Sequence, residues 1–310
     1  MLTTIFTIAY YFLPIILLLL VIAIVNNYKY KEICEEIDIV NKDLIKKKSK
    51  LIIKVFNIDH LKKFRKQNDV IPNIRIYNDE KNAILLKSQF NYAILEEMAY
   101  DISEILELNV VPTTVVCNVN DLLFNCKIIG PIDNLIIGYS KNIVIQELGE
   151  RINTMSMSND DEFIELPPYK KSLEFDLVAI QKVLMFDIII GKRSLERMDI
   201  ILRKNGIIYE VNNYYIGNKS TDSWILSSEQ FEDIKINQEI KRNLILLREK
   251  LIVFLKKYKI SNELKAIKNN IMNNYNRLIN RLVSMEVVKI RDLQDFHYSV
   301  ELCTDRSKLE

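Results

Sequence analysis

The chain has 310 residues, 49% of them hydrophobic, which is enough for one two-lobed domain or two small ones with a full core. Its 43 basic and 41 acidic residues leave a net charge of +2, so bulk charge does not support nucleic-acid binding. The six glycines are too scattered for a glycine-rich phosphate loop, and the two histidines, His60 and His297, argue against a His-ligated zinc site or a Ser-His-Asp triad.

The first predicted element is an uncharged apolar stretch at residues 5–25. Fifteen of its 21 residues are Leu, Ile, Val or Phe, which favour membrane insertion by about 5–9 kcal/mol, and its length matches a hydrocarbon core of about 30 Å. A cleaved signal peptide is the competing interpretation, but no Lys or Arg precedes the stretch and the residues after it form a poor cleavage site. The sequence therefore predicts a retained single-pass anchor at residues 1–27.

Basic residues after this stretch predict its orientation. Lys29, Lys31 and Lys42 follow it, and the positive-inside rule then favours the cytoplasmic side for the bulk of the chain. A glycosylation sequon at residues 218–220 would matter only on the lumenal side, which is the alternative.

Residues 28–50 are rich in charge of both signs and are expected to form a charged linker or a solvated helix. They end in a basic run at 46–50. The alternative for this run is a polybasic segment close to anionic lipid, where each basic residue contributes about 1 kcal/mol.

Residues 51–148 predict a small mixed lobe of strands and one helix. Apolar runs bounded by turn-forming residues indicate the strands, and an amphipathic stripe indicates the helix. Pro112 prevents the helix from continuing into the strand that follows it. The predicted elements are strands at 51–56, 83–87, 110–116, 122–130 and 135–147 and a helix at 92–107.

Residues 149–310 predict a larger, mostly helical lobe, with a polar boundary or loop at 150–171. The Asn205-Gly206 dipeptide is a strong signal for a two-residue hairpin turn. The predicted elements are helices at 172–190, 227–257 and 261–287 and strands at 199–203 and 207–212. The apolar stripes of the last two helices, Leu246 among them, are expected to pack on this lobe.

Lys87 stands at the end of an apolar strand, just before the predicted helix, as a phosphate-binding lysine does in a kinase. Kinases also need a glutamate that holds this lysine, metal-binding carboxylates and a base, because preorganised cations must neutralise the transferring phosphoryl group. Glu96 or Glu97 lies within reach of Lys87 if the helix packs beside the strand. Each residue alone is a weak signal, since a lysine at a strand end usually lies on the surface.

Four short motifs occur in the order and spacing of one kinase family. They are Glu-Glu-Met-Ala-Tyr at 96–100, Leu-Asn-Val-Val-Pro-Thr-Thr at 108–114, Ile-Gln-Glu at 145–147 and Phe-Asp-Ile-Ile-Ile-Gly at 186–191. Residues 80–215 thereby resemble the four-jointed and Golgi secretory-kinase family, and are similar to the HipA and phosphatidylinositol-kinase relatives of that fold. The resemblance implies a two-lobed kinase fold, ATP and Mg²⁺ as cofactors unless binding has been lost, and Lys87, Glu96 and Glu147 as cofactor-binding residues.

The catalytic loop departs from the family pattern, Gly-Asn-x-Asp-Arg-His-x-x-Asn, because residues 191–199 read Gly-Lys-Arg-Ser-Leu-Glu-Arg-Met-Asp. Ser194 matches the catalytic aspartate of the family and Asp199 its metal-binding asparagine. Asn212 matches a second metal ligand, an aspartate, and is a poorer Mg²⁺ ligand than a carboxylate. General-base assistance is worth about 10²–10⁴-fold. The loss of the base and of one metal carboxylate in the same site together predicts a pseudokinase.

The sequence therefore predicts an α+β protein with a two-lobed, protein-kinase-like fold behind an N-terminal transmembrane helix. The expected function is a membrane-anchored pseudokinase that serves as a binding, scaffolding or regulatory subunit. A protein partner, such as an active kinase relative, is expected, and nucleic acid is not. One alternative is an active Mg-ATP-dependent protein kinase that uses Asp199 and a displaced carboxylate, and the other is a membrane structural or assembly protein.

Overall fold

The computed structural model is a mixed α+β protein that is mostly helical. It describes residues 2–56, 62–63, 74–78, 82–89, 93–118, 142–150, 176–192, 200–202, 208–210, 213, 216–221, 223, 225–226, 228–258 and 262–297. The α-helices are α1 (Leu2–Phe56), α2 (Ala93–Ile105), α3 (Leu177–Ile190), α4 (Gln238–Leu246), α5 (Arg248–Lys257) and α6 (Lys265–Ser284). The strands are β1 (Lys62–Lys63), β2 (Ile74–Asn78), β3 (Asn82–Gln89), β4 (Thr113–Asn118), β5 (Asn142–Glu150), β6 (Ile200–Leu202) and β7 (Ile208–Glu210).

Helix α1 is continuous over 55 residues, and its second half belongs to the folded core. Ile37, Leu44 and Leu51 are buried and seven residues apart, so they lie on one face of the helix. This face packs against α5 and β4. Residues 28–50, expected as a charged linker or solvated helix, are thus helical with one buried face.

The predicted strand at 51–56 is wrong, because these residues are the last turns of α1. The β-branched residues in this run favoured a strand. The buried stripe that ends at Leu51 continues the helix instead, and tertiary packing outweighs local propensity here.

Large apolar side chains are exposed along the first half of α1. Their exposed fractions lie between 45% and 60% at Ile15, Leu17, Leu18, Leu19, Leu20, Val21, Ile22, Ile24 and Val25. In the part of the chain that the structure describes, no helix combines the length and the apolar character that a membrane crossing needs. The side chains of residues 2–14 lie outside that part, and the anchor at residues 1–27 stays a prediction.

The described strands of the first half form one five-stranded antiparallel sheet in the order β1-β2-β3-β5-β4. Helix α2 follows β3 in the chain and packs against β4 and β5. This arrangement confirms the strand predicted at 83–87 and the helix predicted at 92–107. The strand predicted at 122–130 lies outside the described residues.

The second half is built around α3, which packs against α6. Strands β6 and β7 form an antiparallel pair, and β7 packs against α3. This confirms the predicted strand pair, while the two-residue turn at Asn205-Gly206 lies outside the described residues and stays a prediction. One hydrophobic core cluster takes side chains from all six helices, so α1 and α2 share a core with the helical half.

The prediction of one continuous helix at 227–257 is wrong. Two helices, α4 and α5, occupy residues 238–257 and meet at Leu247, which has φ −82° and ψ 1°. The side chain of Leu247 is buried, whereas that of Leu246 is 69% exposed and not in the core as expected. The buried Leu244 and Leu247 are three residues apart and share one helical face, and Leu246 lies off that face. The helix predicted at 261–287 is confirmed as α6, preceded by a short 3-10 turn.

Candidate functional site

Lys87 and Glu96 meet as a buried ion pair. Strand β3 carries Lys87, and the first turn of α2 carries Glu96. The Lys87 Nζ lies 2.8 Å from Glu96 Oε1, and both side chains are fully buried. Removing two charges from water costs several kcal/mol each unless pairing and further hydrogen bonds offset it. A pair of this kind holds α2 against the sheet in one geometry.

The sheet beside this pair carries further buried polar groups. Strand register places Leu85 opposite Gln146 and Lys87 opposite Val144, so Gln146 and Lys87 lie on the same face of the sheet. Gln146 Nε2 donates to Thr114 Oγ1 at 3.2 Å. Two buried oxygens, Glu96 Oε2 and Gln146 Oε1, accept no hydrogen bond from the residues that the structure describes. Buried acceptors without donors are costly, which marks this face as a candidate polar site.

Glu97, the other glutamate considered for Lys87, has a different partner. Lys48 of α1 lies with its Nζ 2.9 Å from Glu97 and 2.6 Å from Asp101, one helical turn further along α2. The neighbouring Lys47 lies 2.6 Å from Glu104. Two lysines of the basic run at 46–50 therefore form ion pairs with α2.

Lys48 was missed as a candidate residue by the sequence reasoning. The signal that could have found it is its position on the buried stripe of α1, four residues after Leu44 and three before Leu51. A lysine on such a stripe needs an acidic partner, since burial penalises an unpaired charge.

Asp101 sits where α1, α2 and the end of α5 meet. Burial raises the pKa of Asp101 to about 6; Glu97 acts in the same direction, while Lys48 and the hydroxyl of Tyr258 favour the ionised form. Burial, together with Asp101 and Glu97, also raises the pKa of Tyr258, so this hydroxyl stays protonated and donates to Asp101. The junction thus joins three helices through one carboxyl group.

The end of α3 leads into the segment where the catalytic loop is predicted. Gly191 ends this helix with φ +58°, a left-handed conformation that favours glycine. A Cβ at this position would overlap the backbone oxygen of Asn218. The Asn218 backbone N–H donates to the Gly191 carbonyl at 3.1 Å, and Asn274 Nδ2 donates to the Asn218 carbonyl at 2.6 Å. The start of the loop is therefore held by backbone contacts that sequence reasoning did not predict.

The remaining predicted site residues fall into two groups. Glu147 lies in β5, opposite Ile84 of β3 and Thr113 of β4, and its side chain is partly buried. Ser194, Asp199 and Asn212 lie outside the described residues. The structure therefore brings Lys87 and Glu96 together and leaves the predicted catalytic and metal positions untested.

Among the described residues, no group of three or more His, Cys, Asp or Glu side chains is arranged to hold a metal ion. Neither predicted metal ligand, Asp199 nor Asn212, belongs to these residues. The described part of the site offers one buried cation held by a carboxylate, which suits contact with an anionic group such as a phosphate.

Comparisons with known proteins add no assignment. No protein-family model matches the chain, and no curated protein sequence matches it at a significant level. The residues and their geometry are therefore the basis for inferring a function.

Proposed function

We propose that the chain is a membrane-anchored, two-lobed kinase-like protein that lacks efficient phosphoryl transfer and acts as a binding, scaffolding or regulatory subunit. The observation that carries this proposal is the buried Lys87–Glu96 ion pair between neighbouring strand and helix. Kinases hold a phosphate-binding lysine with a glutamate of the adjacent helix in this way. A purely structural role would be served as well by apolar residues of similar volume, often with a gain in stability.

Nucleotide binding is part of the proposal. Lys87 would contact phosphate oxygens of ATP, with Glu96 fixing the direction of its ammonium group. Glu147 would lie beside the nucleotide, on strand β5. Asp199 and Asn212 would hold the magnesium ion. Mg-ATP, when bound, supplies a transferable phosphoryl group whose charge the metal neutralises.

The proposed lack of catalysis follows from the residues at the family's catalytic positions. Ser194 has no ionised carboxylate to accept a proton from a substrate hydroxyl. Asn212 offers a neutral oxygen in place of a charged metal ligand. The chain would then bind nucleotide without transferring phosphate at a useful rate.

A regulatory role is favoured by the contacts of α1 with α2. Lys47 and Lys48 bind three carboxylates of α2, the helix that carries Glu96. A displacement of α1 would therefore also move α2 and change the geometry of the Lys87–Glu96 pair. The exposed apolar first half of the same helix supports membrane anchoring. The lysines that follow it favour the cytoplasmic side for the bulk of the chain.

Nucleotide binding by the full chain in detergent or nanodiscs tests the proposal. We expect Mg-ATP to raise the melting temperature of the wild-type protein and Lys87→Met to abolish the shift. Lys256→Met, at an exposed lysine of α5, is the matched control and should keep it.

Folding must be separated from binding in this experiment, because Lys87→Met alone leaves Glu96 buried without its cation. That change is expected to cost about 3–5 kcal/mol of unfolding free energy. The double variant Lys87→Met with Glu96→Met removes both charges, and we expect it to recover most of this loss and still not bind Mg-ATP. Binding that survives in a folded double variant would overturn the proposed role of the pair. Phosphate transfer by the wild-type chain at about 1–100 s⁻¹, typical of kinases, would favour the active-kinase alternative.

A further inference from the structure

A groove lies between the part of α1 around Lys29, the junction of α4 with α5, and the last turns of α6. Its volume is about 600 Å³, and it is largely apolar with charged residues at its border. The lining residues are Lys29, Ile245, Leu246, Arg248, Glu249, Ile279, Asn280, Val283 and Ser284. None of these residues belongs to the proposed nucleotide site.

Two apolar residues of the groove are turned outward. Leu246, at 69% exposure, is the most exposed large hydrophobic side chain outside α1 among the described residues, and Val283 is 61% exposed. They come from different helices, α4 and α6, yet line the same groove. Adjacent exposed apolar residues of this kind mark a surface that contacts a partner or a membrane.

Lys29 is the residue of α1 that lines the groove, so it shows where along this helix the groove lies. Lys29 follows Val25, the last residue of the exposed apolar run, by four residues of continuous helix, a rise of about 6 Å. Tyr28 and Tyr30 flank Lys29 and are 72% and 49% exposed. Tyrosines at the end of an apolar helix are typical of the level of the lipid headgroups. If the apolar run lies in a membrane, the groove faces its headgroup layer.

The charges at the border of the groove favour an anionic surface. Lys29 and Arg248 are cationic and Glu249 is anionic, which leaves one net positive charge. The Arg248 guanidinium is oriented by Asn276, whose Oδ1 accepts hydrogen bonds from Nε at 3.2 Å and Nη2 at 3.0 Å. Cations beside exposed apolar residues are the composition of interfacial segments that bind anionic lipid.

We infer that this groove docks onto the headgroups of anionic phospholipids in the membrane that holds α1. Leu246 and Val283 enter the boundary between headgroups and acyl chains, while Lys29 and Arg248 contact lipid phosphates. The docked groove fixes the helical half of the protein against the membrane surface. The inference rests on the proposed membrane anchorage but not on kinase-like chemistry.

Quenching of tryptophan fluorescence by bromine-labelled lipids tests this docking in the full chain. The background variant is Trp224→Phe, reconstituted in nanodiscs of zwitterionic lipid with or without an anionic phospholipid. Single tryptophans are then placed by Leu246→Trp in the groove, Ile15→Trp in the apolar run and Leu177→Trp, a matched exposed leucine on α3.

In anionic nanodiscs we expect quenching at residue 246 to be at least about threefold stronger than at residue 177. Adding Lys29→Gln to the Leu246→Trp variant should weaken the docking equilibrium about fivefold, the ratio that corresponds to about 1 kcal/mol per basic residue. Quenching at residue 246 should also fall in purely zwitterionic nanodiscs.

The same measurement separates this inference from the proposed anchor. Quenching at residue 15 without quenching at residue 246 would overturn docking and leave the anchor standing. Absence of quenching at both would overturn both. A blue-shifted emission at residue 246 that no bromolipid quenches, together with a dimer in solution, would assign the groove to a second copy of the chain and also overturn lipid docking. Equal quenching with and without anionic lipid would overturn the headgroup preference.

Discussion

Burial and a neighbouring ammonium group have opposite effects on the pKa of Asp101. The residue is 5% exposed, and burial raises the pKa of its carboxyl group from 3.8 to about 6 despite the nearby Lys48 ammonium. Desolvation therefore outweighs the attraction of the cation. The folded state holds the proton of Asp101 over a pH range in which the unfolded chain has already lost it.

The pH dependence of stability follows from this difference. Between about pH 4 and about pH 6 the folded state binds more protons at Asp101 than the unfolded state, so this residue's contribution to the unfolding free energy falls as the pH rises. The change amounts to about 2–3 kcal/mol across the window. In Asp101→Asn, whose side chain cannot ionise, we expect this pH-dependent part of the unfolding free energy to disappear. Denaturant unfolding from pH 4 to 7 measures it.

The comparison with the wild-type protein isolates Asp101 from other carboxylates that titrate nearby in pH. The stability of Asp101→Asn relative to wild type should increase from pH 4 to pH 6 and then level off. Parallel curves for the two proteins would show that Asp101 has an ordinary pKa in the folded state.

At the scale of elements, α1 connects the apolar stretch to the helix of the candidate site. Its buried stripe enters the common core through Ile37 and Leu44, and Lys257 and Lys250 of α5 bind Asp38 and Glu36 of α1 on the surface. The surface pairs contribute little, since exposed ion pairs are worth at most about 1 kcal/mol. The apolar stripe and the partly buried Lys48 cluster are what hold α1 in place.

Removing the Lys48 contact should loosen α2. Lys48→Met leaves Glu97 and Asp101 without their main cation, and unpaired buried acceptors cost about 1–3 kcal/mol. We expect faster amide hydrogen exchange in α2 and a weaker affinity for Mg-ATP than in the wild type. Lys46→Met, at an exposed lysine of the same run, should change neither. Unchanged exchange in α2 of Lys48→Met would separate α1 from the candidate site.

At the scale of the whole molecule, all six helices share one hydrophobic core cluster, while the sheet carries the candidate lysine. In the proposed kinase-like fold, the loop after Gly191 would face this lysine across a cleft. Residues 193–199 lie outside the described part of the chain, so this arrangement is best tested by chemistry.

Restoring the missing carboxylates supplies that test. Ser194→Asp with Asn212→Asp would return the base and one metal ligand of the family pattern, and we expect phosphate incorporation to rise by at least about 10²-fold. The gain must disappear when Lys87→Met is added, because the phosphate would lose its cation. An unchanged rate in the restored chain would favour the structural or assembly alternative.

Local pattern predicted a substantial part of the fold. The helical stripe of α2, the β3 run that ends near Lys87, and the pairing of β6 with β7 depend on neighbouring residues, and all three are confirmed. The errors arose where distant packing decided the outcome. Residues 51–56 have strand propensity but extend a helix that the core holds, and the helix predicted at 227–257 is interrupted at Leu247.

The sequence by itself determined the type and spacing of the groups available: an apolar stretch, a lysine near a strand end and two adjacent glutamates on a helix. Only the tertiary structure decided that Glu96 takes Lys87 while Glu97 takes Lys48. Periodicity is a property of neighbouring residues and can be read along the chain. The choice between two adjacent carboxylates depends on how a helix is rotated against a sheet and a second helix, and packing of the whole core sets that rotation.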